Sequence, residues 1–173
     1  ILDDCSTDNS QEIIQKYQSH PKVSAVLFSE TNSGSTFIQW KKGFEQAHGD
    51  YIWIAESDDV AEKDFLETLM QGFELNRNVG IAFCDSIWIN EEGAVIHLPS
   101  VETVDRVFVG NDFITSQLSR NNNIYNASMS VFKQELLDNV KDQKYLDLKY
   151  CGDWYFWVLL AEQCDVYKSR KLL

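Results

Sequence analysis

Clustered carboxylates are the side chains in this sequence best suited to chemistry. They form two groups, each directly after a short apolar run: Asp3 and Asp4, then Glu56, Asp58 and Asp59. Carboxylates this close raise one another's pKa unless a cation lies among them. Oxygen ligands suit a hard divalent ion, Mg²⁺ or Mn²⁺, which commonly bridges a protein carboxylate to a substrate phosphate. The second group therefore predicts a metal–diphosphate site or, as the alternative, acids placed ahead of a helix by its dipole.

Other catalytic patterns are weaker. The three histidines are scattered without an i, i+4 pair, so we expect them on the surface or in loops. No serine stands in a G-x-S-x-G elbow, which argues against a hydrolase of that class. The four cysteines are widely spaced, which favours reduced thiols over a zinc site or a disulfide scaffold.

The composition describes an acidic globular domain. Asp and Glu outnumber Lys and Arg by 27 to 15, giving a formal net charge of -12, and 44% of the residues are apolar. Such a surface repels phosphates, so we expect no nucleic-acid partner, and an anionic ligand needs a neutralising cation. No apolar run reaches the ~20 residues that span a bilayer. The 173 residues fit a single domain.

Apolar runs alternate with helical periodicities along the first half of the chain. The predicted strands are residues 1–4, 23–28, 51–55 and 80–89, and the predicted helices begin near residues 10, 35 and 65. This alternation favours a mostly parallel α/β sheet flanked by helices, whose ligands bind at the carboxyl ends of the strands. The second half is predicted as a hairpin around Gly93, helices at 111–118, 133–140 and 153–162, and a strand at 127–132.

Four segments carry a resemblance to the family-2 glycosyltransferases, which have the GT-A fold. Residues 1–10, ILDDCSTDNS, resemble the family's hydrophobic-x-D-D-x-S-x-D-x-S/T segment. Residues 32–52 contain a run similar to N-x-G … G … A-x-G-x-Y-I. Residues 56–59, ESDD, stand where the family has its D-x-D motif, and residues 151–154, CGDW, resemble its late E/G-D-W segment. The segments follow the family's order, so together they are far more specific than any one alone.

The resemblance implies an inverting, metal-dependent glycosyltransferase with a nucleoside-diphosphate sugar as donor. Asp3 or Asp4 would contact the base or ribose of the nucleotide. Asp58 would be the main contact to the Mg²⁺ or Mn²⁺ ion on the diphosphate, with Glu56 near the ribose or in the metal shell. Asp59 would lie beside the donor sugar or the acceptor.

Asp153 would be the catalytic base under this resemblance. A sugar hydroxyl is a poor nucleophile, so a carboxylate must take its proton as it attacks the anomeric carbon. The alternative is that Asp153 is simply the N-cap of the helix that follows Gly152. Trp154, next to the base, is a candidate for stacking on an acceptor sugar.

The family pattern also predicts how the domain is organised. Residues 1–90 would form the nucleotide-sugar-binding half, and residues 91–173 the half that holds the acceptor and the base. The family's first strand and its nucleotide-binding turn are expected to be missing ahead of Ile1. Where the family often has a diphosphate-binding arginine, the helix after residues 32–34 offers Gln39, Lys41 and Lys42.

The expected acceptor is a carbohydrate or a lipid-linked glycan in cell-surface polysaccharide synthesis. On the resemblance alone, the protein is expected in the cytoplasm, at the inner face of the membrane, with peripheral membrane association. Two other functions remain open: a non-catalytic nucleotide- or carbohydrate-binding domain, and a sugar nucleotidyltransferase. The second normally needs a glycine-rich phosphate loop with a basic residue near its first strand, and the sequence shows none.

Overall fold

A computed structural model describes residues 1–100 and 102–173. The helices are α1 (Ser10–Tyr17), α2 (Thr36–Gln46), α3 (Phe65–Leu75), α4 (Gly110–Phe113) and α5 (Gly152–Ala161). The strands are β1 (Leu2–Asp3), β2 (Leu27–Phe28), β3 (Tyr51–Trp53), β4 (Val79–Asp85), β5 (Trp88–Ile89), β6 (Val95–His97), β7 (Arg106–Phe108), β8 (Ser130–Lys133) and β9 (Asp165–Leu172). A π-helical turn follows α4 at Ile114–Leu118, and 3₁₀ turns lie at Ala127–Met129, Gln134–Asn139 and Lys144–Leu146.

A five-stranded mixed sheet forms the centre of the domain, in the order β3-β8-β4-β9-β7. β8 is antiparallel to both β3 and β4, β9 is parallel to β4, and β7 is antiparallel to β9. β1 and β2 form a parallel pair, and β5 and β6 form an antiparallel hairpin. The α/β class is confirmed, but these directions correct the expected mostly parallel sheet, because β8 inserts antiparallel between β3 and β4.

Aromatic side chains join both faces of this sheet to the helices. Phe132 of β8 is fully buried and meets Phe44 of α2 and Phe156 of α5, with ring centroids 5.9 and 5.7 Å apart. On the other face, α3 approaches β9 so closely that a Cβ on Gly72 would lie 2.4 Å from the ring of Tyr167. Helices therefore cover both faces, and the strand ends are left to form a site.

The structure departs from the sequence-based prediction in both halves of the chain. β7 and β9 were not predicted, and the predicted helix at 133–140 is a 3₁₀ turn. The predicted strand at 80–89 ends at Asp85, because residues 88–89 pair instead with β6. The predicted strand at 23–28 is reduced to Leu27–Phe28, whereas the hairpin around Gly93 is confirmed.

Candidate active site

The acidic loop, residues 56–59, is anchored where β3 ends. The backbone N–H of Glu56 donates to Oγ of Ser128 at 2.9 Å, and Nε1 of Trp53 donates to the carbonyl of the same serine at 2.8 Å. Ser128 is buried in the 3₁₀ turn before β8. Because β8 pairs with β3, the turn that begins β8 also fixes the start of the acidic loop.

The pKa of Glu56 responds to the acids around it. Its half-buried carboxyl has a raised pKa, first because burial removes it from water and then because the negative charges of Asp59, Asp58 and Asp153 oppose its ionisation. Asp153, about a hundred residues away in sequence, makes the smallest of these contributions.

Asp153 lies in the first turn of α5, and its partner is a side chain from elsewhere in the chain. Its Oδ2 accepts a hydrogen bond from Nδ2 of Asn122 at 2.6 Å. The N-cap position belongs to Cys151, whose left-handed backbone (φ 60°) is strained for a non-glycine residue. The alternative that Asp153 is the N-cap of this helix is therefore wrong, and its carboxylate is oriented by Asn122 instead.

Trp154 has a partner of its own. Its Nε1 donates to the carbonyl of Leu118 at 2.9 Å, and the side chain is half-buried against the core. This bond ties α5 to the end of the π-helical turn and so helps fix the position of Asp153. Its expected role in stacking on a sugar stays a prediction.

Asp3 and Asp4 are held by residues of the first half of the chain. Asp3 is buried, and hydrogen bonds from Ser6 above all, and from Gln11, hold its pKa below the usual range. Asp4 accepts from both the backbone N–H and Oγ of Ser33, the latter at 2.6 Å, and from Nε2 of Gln39. These bonds join Asp3 to α1 and the turn before it, and Asp4 to the loop and helix that follow β2.

The predicted donor-side residues thus fall into two sets. Glu56, Asp58 and Asp59 share the loop after β3, whereas Asp3 ends β1 of the separate β1–β2 pair and Asp4 directly follows it. The sequence and the family resemblance predict that Asp4, Asp58 and Asp153 converge on one crevice, and this stays a prediction. Gln39, a candidate for the family's arginine position, donates to Asp4.

Sequence reasoning missed three side chains that position the acids. Asn126 donates to Oδ2 of Asp59 at 2.8 Å, Ser128 accepts from the backbone of Glu56, and Asn122 holds Asp153. All three lie between residues 121 and 130, next to the acids in space but far from them in sequence. The run of three asparagines at 121–123 was the available signal, since such a run favours a turn or a contact with a ligand.

A cavity of about 740 Å³ opens beside the acidic loop. One part of its wall carries Glu56, Asp58 and Asp59, and another part carries apolar residues of the β5–β6 hairpin together with Tyr125. Its volume lies within the ~300–1,000 Å³ typical of ligand sites. None of the other predicted site residues, Asp3, Asp4 and Asp153, lines it.

The carboxylates of this loop fit a metal ion that is shared with a diphosphate. No group of three potential ligands is preassembled among the residues that the structure describes. Mg²⁺ is usually held by only one or two carboxylates, and substrate phosphates and water complete its shell. Burial and the negative charges of three other acids raise the pKa of Glu56, and a bound cation would offset the repulsion among these charges.

The fold agrees with comparisons to known proteins. The sequence model of glycosyl transferase family 2 matches residues 1–141, and the chain belongs to this family. A crystal structure of residues 1–349 of TarS from Staphylococcus aureus superposes with a TM-score of 0.72 at 23% identity, covering 99% of this chain and 48% of that one. The expected GT-A fold is thereby confirmed.

Curated relatives are similar over parts of their length. The chain is 33% identical over 109 residues to TuaG of Bacillus subtilis, a glycosyltransferase named for teichuronic acid biosynthesis, covering 61% of this chain and 42% of that protein. It is 36% identical over 69 residues to the poly(ribitol-phosphate) beta-N-acetylglucosaminyltransferase TarS of S. aureus strain Mu50, covering 39% of this chain and 12% of that protein. The chain therefore spans less than half the length of these relatives.

Proposed function

We propose that the protein transfers a sugar from a UDP-sugar to a carbohydrate acceptor, with inversion at the anomeric carbon. The observation that carries this proposal is that one stretch of chain holds both sets of acids: Asn122 bonds with Asp153, Asn126 bonds with Asp59, and Ser128 accepts from the backbone of Glu56. A base on α5 and donor-side acids after β3 then act on one reacting centre. TarS structures with UDP-GlcNAc and with UDP, 21% identical to this chain, support a uridine nucleotide as the donor's leaving group.

In this proposal the donor lies along the ends of β1 and β3. Asp3 or Asp4 contacts the nucleotide's base or ribose, Glu56 lies near the ribose or the metal, and Asp59 is near the transferred sugar. Asp58 is the main protein ligand of Mg²⁺ or Mn²⁺. When bound, the ion stabilises the charge that develops on the departing diphosphate.

Asp153 acts on the acceptor. An acceptor hydroxyl attacks the anomeric carbon from the face opposite the diphosphate, and Asp153 takes its proton in the same step. The C–O bond to the diphosphate breaks as the new glycosidic bond forms, so a single displacement inverts the configuration. Asn122, which donates to Oδ2 of Asp153, keeps the carboxylate in one orientation for that transfer.

The acceptor proposed is a cell-surface polysaccharide or its lipid-linked precursor, extended at the inner face of the membrane. TuaG is named for teichuronic acid biosynthesis and TarS as a poly(ribitol-phosphate) beta-N-acetylglucosaminyltransferase, and these names support this choice. No helix in the described part of the chain has the length and apolar character that a membrane crossing requires. Peripheral association of the intact protein is the corresponding proposal.

The test is to incubate the intact protein with UDP-GlcNAc and other nucleotide sugars, with and without Mn²⁺. A donor that binds only the folded state raises Tm, and turnover releases free nucleoside diphosphate. We expect one uridine donor to raise Tm in Mn²⁺ and to be turned over. Absence of any shift and of any turnover across the donor panel would reject the proposal in favour of a non-catalytic domain.

A further inference from the structure

The β5–β6 hairpin presents an unusual amount of apolar surface beside the acidic loop. Trp88 is 50% exposed, and its neighbours Ile89, Val95 and Ile96 are exposed as well. All four line the cavity that Asp58 and Asp59 border. Exposed apolar groups that line a cavity, rather than being scattered singly, indicate a binding surface.

Trp88 and Tyr125 form an ordered aromatic pair at this wall. Their ring centroids are 6.1 Å apart in an edge-to-face arrangement, and Nε1 of Trp88 donates to the hydroxyl of Tyr125 at 3.4 Å. The same hydroxyl bonds with Oγ of Ser86 at 2.9 Å, and His97 packs on Trp88 with centroids 5.1 Å apart. These contacts hold the indole in place and still leave half of it exposed.

The aromatic pair is connected directly to the acids. Tyr125 is followed in sequence by Asn126, whose amide donates to Oδ2 of Asp59 at 2.8 Å. Neither the proposed nucleotide-binding residues Asp3 and Asp4 nor the proposed base Asp153 lines this cavity. Asp59, which is proposed to lie near the transferred sugar, does line it, so a saccharide on the aromatic wall would lie next to that sugar.

The chemistry of the two walls complements a sugar ring. A pyranose has a face of C–H groups and a rim of hydroxyls, so it stacks on an aromatic face while its rim bonds with carboxylates and amides. A lipid surface fits poorly, because the exposed turn of the hairpin carries Glu91 and Glu92, which anionic membranes repel.

We propose that Trp88 and Tyr125 form an acceptor saccharide subsite, in which Trp88 stacks on a sugar ring whose hydroxyls face Asp59 and Asn126. The inference rests on the proposed function and deepens it by placing the acceptor. It makes Trp88 a residue that determines acceptor binding and has no part in donor binding.

The test uses the intact protein with ¹⁵N-labelled tryptophan indoles, observed by NMR. Trp88→Phe identifies the Trp88 signal by its disappearance. A panel of disaccharides (chitobiose, cellobiose and maltose) is titrated to millimolar concentrations, and UDP with Mn²⁺ is titrated separately. We expect at least one disaccharide to shift the Trp88 signal. If none does while UDP still perturbs the protein, the subsite is rejected and the transferase proposal stands.

Variants then separate stacking from folding. Trp88→Ala should weaken disaccharide binding about tenfold or more, as aromatic anchors do, and leave UDP affinity unchanged. Tyr125→Phe keeps the ring packing and removes the hydroxyl that orients Trp88, so it should weaken binding a few-fold even if Trp88→Ala disturbs the hairpin. Tyr17→Ala, which removes an exposed aromatic ring on α1, is the matched control and should change nothing.

Two further outcomes overturn one proposal and not the other. A Trp88 signal that shifts with phosphatidylglycerol–phosphatidylethanolamine vesicles, and with no disaccharide, would make the hairpin a membrane contact and reject the saccharide subsite. Disaccharide binding without any UDP binding in Mn²⁺ would support the subsite and reject the transferase.

Discussion

Nδ2 of Asn122 donates to Oδ2 of Asp153 at 2.6 Å, joining the loop before the 3₁₀ turn of β8 to the first turn of α5. The loop that begins at Asn122 continues through Asn126, which holds Asp59, and Ser128, which holds Glu56. One stretch of chain thus positions both the proposed base and the donor-side acids. These two halves of the site should respond together when that stretch is altered.

Asn122→Ala should lower the rate of sugar transfer about tenfold, because Asp153 loses the bond that orients it for proton transfer. The loss should fall on kcat, with donor affinity unchanged, as expected for a positioning residue. Steady-state kinetics with a titrated donor measure both values. Asn121→Ala, an exposed neighbour, is the control; an equal loss in both variants would show a general effect of the loop.

Glu56→Gln should stabilise the protein at neutral pH. Since burial and three neighbouring acids raise the pKa of Glu56, ionising it in the folded state lowers the free energy of unfolding. This destabilisation is present above the raised pKa and disappears as the pH falls through it toward the usual glutamate value of 4.5. Thermal or denaturant unfolding of wild type and variant across this range measures the difference.

The exposed Glu45→Gln on α2 is the control for the loss of one negative charge. It should show no comparable gain at neutral pH. A Glu56→Gln protein less stable than wild type at neutral pH, in the absence of divalent cations, would contradict the electrostatic description of the loop.

Asp58→Asn should weaken UDP binding in Mn²⁺ by about tenfold or more, because a neutral amide is a poorer ligand for a hard divalent ion. Calorimetric titration of UDP, with Mn²⁺ and with excess chelator, measures this. Asp138→Asn, at an exposed site in the 3₁₀ turn after β8, should bind UDP as wild type does. Equal UDP affinity of the wild type with and without chelator would remove the metal from the mechanism.

Ser128→Ala should lower the free energy of unfolding by about 1–3 kcal/mol, the cost of leaving the partly buried N–H of Glu56 without its acceptor. Urea unfolding monitored by tryptophan fluorescence measures the change. Ser57→Ala, exposed in the same loop, should change stability by no more than about 0.5 kcal/mol. If Ser128→Ala and Ser57→Ala both have the stability of wild type, Ser128 does not anchor the loop.

The sequence predicted the elements that carry strong local signals. Gly34, in a left-handed conformation, and Ser35 mark the start of α2, and the apolar run before Glu56 marks β3. The acids at the strand ends followed from this alternation. The expectation that they act together with Asp153 came from the family resemblance.

The rest depended on contacts between distant segments. β9 carries lysine, arginine and serine among its apolar residues, so its segment lacks a strong strand pattern, and pairing with β4 decides its structure. The direction of β8 is likewise set by its neighbours, which local periodicity does not encode. The contacts of Asn122, Asn126 and Ser128 with the acids depend on β8 lying beside β3, so local sequence does not reveal them.

The central claim is that Asp153 is the base of a sugar transferase. The measurement is transfer rate and donor affinity for wild type and Asp153→Asn, with Glu162→Gln at the far end of α5 as the matched control. Asparagine is nearly the same size but takes no proton from the acceptor. The account predicts that Asp153→Asn lowers the transfer rate about 10²–10⁴-fold and leaves donor affinity unchanged. Glu162→Gln should match wild type in both measurements. Transfer by Asp153→Asn at the wild-type rate would contradict it.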